Sequence, residues 1–188
     1  MDATRSYRRV VFLDRDGVVN RPPPKGSWVF RWEDFHFADG ALDALRTLRR
    51  HGFTVVVVTN QSCVGRGFAQ LAAIEAIHAR MLAAVGEAGG AIAGVYVCPH
   101  VDEDRCPCRK PRPGLIDRAA AELGIDPAGA FLVGDSPRDV QAGAARGCTT
   151  ILVDAEEAPA CEADFVAADL REATHLILRL VGDLPREP

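Results

Sequence analysis

Five short runs rich in β-branched residues recur along the chain: Arg9–Asp14, Thr54–Asn60, Gly94–Cys98, Ala130–Asp135 and Thr149–Asp154. Each is apolar along most of its length instead of alternating, the pattern of strands buried on both faces of a parallel sheet. Helical patterns lie between them. Ala41–His51 carries Leu42, Leu45 and Leu48 on one stripe and stops at Gly52, a residue suited to the position after a helix end. Gln70–Glu87 is alanine-rich, with Leu71, Ile74, Ile77, Met81 and Val85 at helical spacing, and Leu115–Leu123 and Asp139–Arg146 supply two more helices. This alternation predicts an α/β fold with a doubly wound parallel sheet and a site beyond the carboxyl ends of the strands. Asn20–Phe37 reads as a polar coil, and a loose tail follows about Val181.

The 188 residues suit one domain, with a core spanning 9–181. Net charge is −4 and the isoelectric point is about 5.7, without the basic excess of a nucleic-acid binder. Met1 to Arg9 has no apolar stretch of the signal-peptide kind, and Val55–Val58 is strand-length, too short to cross a bilayer. Six cysteines, three of them crowded into Cys98–Cys108, do not resemble the spread pairs of a secreted disulfide framework. The expectation is a cytoplasmic protein, monomeric, with neither nucleic-acid nor membrane partners.

Polar residues stand where the predicted strands end. The first exit carries Asp14-Arg15-Asp16-Gly17, the second Thr59-Asn60-Gln61-Ser62, and the fourth Gly134-Asp135 with Asp139 just beyond. Lys110 follows the third strand and the cysteine loop. Two carboxylates two residues apart can divide the work, one attacking as nucleophile while the other donates and recovers a proton. A further carboxylate beside them needs a cation, and oxygen ligands with room for substrate oxygens suit Mg²⁺. A lysine and a hydroxyl–amide pair complete a cradle for a phosphoryl group. The reaction this set supports is phosphoryl transfer to Asp14 and hydrolysis of the aspartyl phosphate.

"FLDRDGVVN", "VVVVTNQS", "CRKPRPG" and "VGDSPRD" together resemble the four ordered motifs of the haloacid dehalogenase superfamily of phosphatases, over about residues 9–154. The resemblance implies a Rossmann-type, essentially capless fold. It makes Asp14 the nucleophile and Asp16 the general acid/base, with Thr59 and Lys110 holding the phosphoryl group. It also implies that Asp14, the main-chain carbonyl of Asp16 and Asp135 bind Mg²⁺, with Asp139 in support.

Cys98, His100, Cys106 and Cys108 form C-x-H-x₅-C-x-C, three thiolates and one imidazole, a common closed tetrahedral zinc set. A Cys106–Cys108 bridge would close a very tight ring, and a redox pair would more naturally be C-x-x-C. Four ligands leave no open position, so Zn²⁺ in the 98–108 loop is expected to be structural. It would aim Arg109 and Lys110 at the phosphate pocket, and Asp102, Glu103 and Asp104 read as the loop's solvated face.

A zinc loop before "CRKPRPG", beside "TNQS", resembles the D-glycero-D-manno-heptose 1,7-bisphosphate 7-phosphatases and their relatives, the histidinol-phosphate phosphatases. A bisphosphate needs cations for the phosphate that stays; Arg21, Lys25, Arg66 and Arg109 could supply them. The amine of histidinol phosphate would favour carboxylates, and Glu33 and Asp34 could supply those. The short His100–Cys106 gap is like that of the histidinol-phosphate relatives, and Cys63 and Ser136 depart from the residues usual in the family. The balance of charge favours the heptose bisphosphate. The substrate-facing set is read as Arg15, Asn20, Arg21, Lys25, Thr59, Asn60, Gln61, Ser62, Arg66, Arg109 and Lys110. Trp28 and Trp32 read as packing, and His36, His51, His78 and His175 as structural or solvent-facing. A nucleic-acid 3′-phosphatase shares the motifs, but the acidic balance argues against it.

Overall fold

The computed structural model describes residues 7–24, 26–153 and 162–184. The chain order is β1 (Val10–Leu13), α1 (Ala41–Arg50), β2 (Thr54–Asn60), the single turn α2 (Ser62–Gly65), α3 (Leu71–Glu87), β3 (Gly94–Cys98), α4 (Gly114–Leu123), β4 (Phe131–Gly134), α5 (Pro137–Ala144), β5 (Thr149–Val153), β6 (Phe165–Ala167) and α6 (Leu170–Leu180). All six strands are parallel, in the order β3-β2-β1-β4-β5-β6. The order reverses between β1 and β4, which makes the crevice above that pair the natural ligand site.

The continuous apolar runs serve two cores at once. Val11, Leu13, Val55, Val57 and Phe131 point into a cluster with α1, α3 and α6, whereas Phe12, Val56, Val58 and Leu132 point into one with α4 and α5. Side chains alternate faces along a strand, so burial on both faces requires every position to be apolar. On α1 the stripe holds, with Leu45 and Leu48 fully buried. On α3, Ile74, Ile77, Met81 and Val85 are buried but Leu71, at the first turn, is exposed.

Three expectations need correction. The sheet has a sixth strand: β6 is short, with Val166 exposed, and is clipped to β5 by Asp164, whose carboxylate accepts from Thr150 N at 2.8 Å and Oγ1 at 3.1 Å. The segment after Val181 is no loose tail as far as Leu184, because Asp183 accepts from Arg9 at 2.6 and 2.7 Å and from His51 Nδ1 at 2.9 Å. The coil after β1 buries Val29 and Phe35 and pairs Asn20 with Phe37 in an isolated antiparallel bridge. Asp154, expected at the end of the fifth strand, lies outside the described residues. No helix among the described residues is long and apolar enough to cross a membrane.

Candidate active site

The crevice above β1 and β4 collects the acidic residues one step past each strand. Asp14 N donates to Val133 O at 3.0 Å, so the β1–β4 ladder itself fixes where this carboxylate starts. Lys110 arrives from the β3–α4 loop with its ammonium buried. Its Nζ lies 2.8 Å from Asp14 Oδ1 and 2.6 Å from Asp139 Oδ1, and donates to Val58 O at 2.7 Å. Asp14, Asp135 and Asp139 each place an oxygen within 4.8 Å of the others. Three carboxylates against one ammonium leave two negative charges when all are ionised, and one divalent cation would balance them.

The electrostatics point the same way. Burial raises the Asp14 carboxyl to about 6, Lys110 pulling it down and Asp139 and Asp16 adding to the rise. Asp135 is pushed up to about 8, by burial first and then by Asp14 and Asp139. Burial opposes the charge on Lys110, but Asp139 and Asp14 together hold its ammonium above the ordinary lysine range. Asp139 is already committed to protein donors: its Oδ2 accepts from Ser136 N at 3.1 Å and Oγ at 2.6 Å, capping α5. That leaves Asp14 and Asp135 as the freer oxygen donors for an ion, with Asp139 behind them. Gly17 makes their approach possible. Its φ of +81° suits glycine, and a Cβ there would lie 2.1 Å from Asp135 Oδ2.

Asp16 is held by a separate set of donors. Arg15 Nη2 donates to both its oxygens at 2.8 and 2.9 Å, Asn20 Nδ2 to Oδ1 at 2.9 Å, and Gln61 Nε2 to Oδ2 at 2.8 Å. Gln61 Nε2 also reaches Thr59 Oγ1 at 2.9 Å, linking the second strand exit to the first. Arg15, expected to face substrate, is fully buried, with Nη1 3.2 Å from His78 Nε2 and Nη2 donating to Val29 O at 3.3 Å. Its charge works behind Asp16 and not at the pocket mouth. Of the two readings for His78, the structural one holds: it is buried against Arg15.

The loop of Cys98, His100, Cys106 and Cys108 closes into a four-donor cluster. Cys108 Sγ lies 3.4 Å from Cys98 Sγ, Cys106 Sγ and His100 Nδ1, and Cys98 Sγ lies 3.6 Å from Cys106 Sγ and His100 Nδ1. These separations are far too long for a disulfide. A tetrahedron of that edge has its centre about 2.1–2.2 Å from each corner, within the range of roughly 2.0–2.3 Å for zinc–nitrogen and zinc–sulfur bonds. The cluster could hold zinc. Asp102 is more than solvated surface: it accepts from Arg109 Nε at 2.7 Å and from Arg138 Nη2 at 3.4 Å, while Arg109 Nη1 donates to His100 O at 3.2 Å. Asp104 accepts from Val101 N at 2.9 Å. On the opposite side Asn60 brackets the lysine, accepting from Lys110 N and donating to Lys110 O, both at 3.1 Å.

The outer loops meet beside Ser62. Trp28 Nε1 donates to Ser62 Oγ at 3.2 Å, its ring centroid is 5.1 Å from that of exposed Phe68, and Arg66 lies over it at 5.9 Å. Trp28 thus packs at this mouth, as Trp32 packs on Phe35. Gly65 N donates to Pro99 O at 2.8 Å, tying this mouth to the cysteine loop, and Cys63 is buried with Sγ toward Gln61. Arg21 instead pairs with Asp39 at 2.9 Å on the surface, and Lys25 lies outside the described residues. Glu33 and Asp34 are exposed, Asp34 paired with Arg31 at 3.1 Å. His36 and His175 are exposed.

A family model described as HAD-hydrolase-like matches residues 107–173. A D-glycero-beta-D-manno-heptose-1,7-bisphosphate 7-phosphatase from Pseudomonas putida is 39% identical over 145 residues, covering 77% of this chain and 82% of the relative. One of the same name from Pasteurella multocida is 33% identical over 186 residues, covering 95% and 96%. Among solved structures, the D,D-heptose 1,7-bisphosphate phosphatase from B. bronchiseptica, complexed with magnesium and phosphate, matches with a TM-score of 0.84 at 35% identity. That match covers 92% of this chain and 99% of the other.

Proposed function

Because the chain belongs to the D-glycero-beta-D-manno-heptose-1,7-bisphosphate 7-phosphatase family of haloacid dehalogenase-like hydrolases, we propose that it removes the 7-phosphate of that sugar, leaving heptose 1-phosphate. The chain is a phosphatase. What carries the mechanism is the single rim on which Asp14, Lys110 and Asp135 converge. Asp14 Oδ1 is held by Arg15 N at 2.7 Å and Lys110 Nζ at 2.8 Å, which aims the other oxygen at an incoming phosphorus. Asp14 attacks, the sugar oxygen leaves with a proton from Asp16, and Asp16 then takes a proton from the water that hydrolyses the aspartyl phosphate. Lys110 and Thr59 meet the charge on the transferring group. Asp14, the main-chain carbonyl of Asp16 and Asp135 would hold Mg²⁺, which when bound neutralises the carboxylates and polarises the phosphoryl oxygens.

The choice of sugar rests on charge and on kinship. The exposed Arg66 at the mouth, and Arg109 fixed by the cysteine loop, are suited to the phosphate that stays. Glu33 and Asp34, the carboxylates an amine would need, stand on an exposed turn. The kcat/KM for heptose 1,7-bisphosphate is expected to exceed that for histidinol phosphate by about 100-fold or more, since the second phosphate offers these guanidinium groups charged hydrogen bonds that histidinol phosphate lacks. Equal values, or a preference for histidinol phosphate, would overturn the assignment.

Zinc in the 98–108 loop is proposed as a structural ion. Cys108 lies two residues before Lys110, and the loop also anchors Arg109, so loss of the ion loosens one of the two supports of the lysine backbone. The other, Asn60, remains. A Cys106→Ser variant freed of zinc should keep its far-ultraviolet circular dichroism and lose about 10- to 100-fold in kcat. Full turnover in that variant would separate the loop from catalysis.

A further inference from the structure

Behind Asp16 lies a buried pair that the mechanism above leaves unused. The Arg15 guanidinium is fully enclosed, and each of its nitrogens has an acceptor: Nε and Nη2 face Asp16, Nη2 also reaches Val29 O, and Nη1 faces His78 Nε2 at 3.2 Å. His78 projects from α3 and is itself buried. Arginine can only donate, so His78 Nε2 must be the unprotonated nitrogen and its proton must sit on Nδ1. Burial and the neighbouring Arg15 charge both hold the imidazole neutral, lowering it to about 4, with Asp16 opposing weakly.

Remove that acceptor and Arg15 Nη1 is left buried without the partner it has here. An unsatisfied buried donor is costly, and a charged one more so. The guanidinium would turn to recover a partner, and the fork on Asp16 would turn with it. Asn20 and Gln61 each reach a single oxygen of Asp16, whereas Arg15 alone grips both and sets the plane of the carboxylate.

We infer that His78 is a positioning residue for catalysis: its neutral Nε2 backs the Arg15 fork that orients the Asp16 carboxylate toward the leaving oxygen. This rests on Asp16 being the general acid, as proposed above. His78 touches neither substrate nor metal ligand.

The test compares two substrates in the metal-replete enzyme. The sugar phosphate has an alkoxide leaving group that needs a proton, whereas p-nitrophenyl phosphate releases a stable phenolate that does not. His78→Leu should lower kcat on heptose 1,7-bisphosphate by roughly 10- to 100-fold, part of the 10²–10⁴ or so that a general acid contributes, with KM within about threefold. The initial burst of nitrophenolate, which reads transfer to Asp14 alone, should stay within about threefold of wild type. His78→Gln, which keeps a neutral acceptor, should recover most of the lost kcat. Unchanged kcat in His78→Leu, or a loss in the nitrophenolate burst rate equal to the loss in kcat on the sugar phosphate, overturns the inference. Asp16→Asn run in parallel separates the two readings: if it keeps full turnover on the sugar phosphate, the general acid is misassigned. Should His78→Leu fail to fold, nitrogen-15 shifts of His78 in the wild-type enzyme decide instead. A proton on Nδ1 is expected, and one on Nε2 would overturn the proposal.

Discussion

Asp14→Asn should lower turnover by about 10⁴-fold or more while leaving the fold intact, because it removes the attacking atom and little else. Asparagine keeps the shape and still offers Oδ1 to Arg15 N, which donates to Asp14 at 2.7 Å. Lys110 keeps its other partner, Asp139 Oδ1 at 2.6 Å. The substitution also takes one negative charge out of a cluster that burial and its neighbours already push toward protonation, with Asp14 raised to about 6 and Asp135 to about 8. The metal-free variant should therefore unfold at or above the wild-type temperature at neutral pH. Acid quenching with substrate labelled at the transferring phosphate should find label on the wild-type protein and none on the variant. Turnover by the pure variant above about 1% of wild type, or label retained on it, would place the nucleophile elsewhere.

The contrast between Asp14 and Arg15 shows what a sequence of this kind discloses. Strand ends are local: a buried run followed by a polar residue tells where a side chain leaves the sheet. Four such exits sufficed to bring Asp14, Lys110 and Asp135 to one rim. The cysteine loop was legible for the same reason, its four donors lying within eleven positions. Arg15 was misjudged because two of the partners that enclose it are remote. Val29 O is 14 residues on and His78 is 63, and no local pattern distinguishes a cation folded back on its neighbour from one facing solvent. Arg21 likewise finds Asp39 across 18 positions. The β6–α6 unit was missed. The strand is three residues long with an exposed centre, too short for a periodicity to register. The helix did leave a signal, Asp169 capping Glu172 N ahead of Leu170, Ala173, Ile177 and Leu178 on one buried stripe.

Lys110→Met should be the most damaging single change to stability, and its cost should depend on pH. The lysine is 2% exposed and is the cation facing both Asp14 and Asp139; methionine fills the space but leaves the carboxylates uncompensated. Breaking a buried ion pair by removing one partner costs about 3–5 kcal/mol, or on the order of 10 °C in the unfolding midpoint for a chain of this size. The carboxyls can avoid part of that cost by taking up protons. In the wild type, Asp14 and Asp135 already sit above the unfolded carboxyl value of about 3.8, at about 6 and 8. The folded state thus binds more protons than the unfolded chain between those limits, and the stability this supplies at about pH 4 is lost as pH rises through 6 and 8. Without Lys110 both carboxyls are pushed higher still. The midpoint difference between wild type and variant, measured without added Mg²⁺, should therefore be small near pH 5 and widen toward pH 8. Mg²⁺ binds the ionised carboxylates, so it should recover more stability at pH 8 than at pH 5, while kcat stays about 10²–10³-fold down for want of the ammonium at the phosphoryl group. A variant as stable as wild type at pH 8 without Mg²⁺ would mean that the lysine does not balance this cluster, and with that the electrostatic basis of the site would fall.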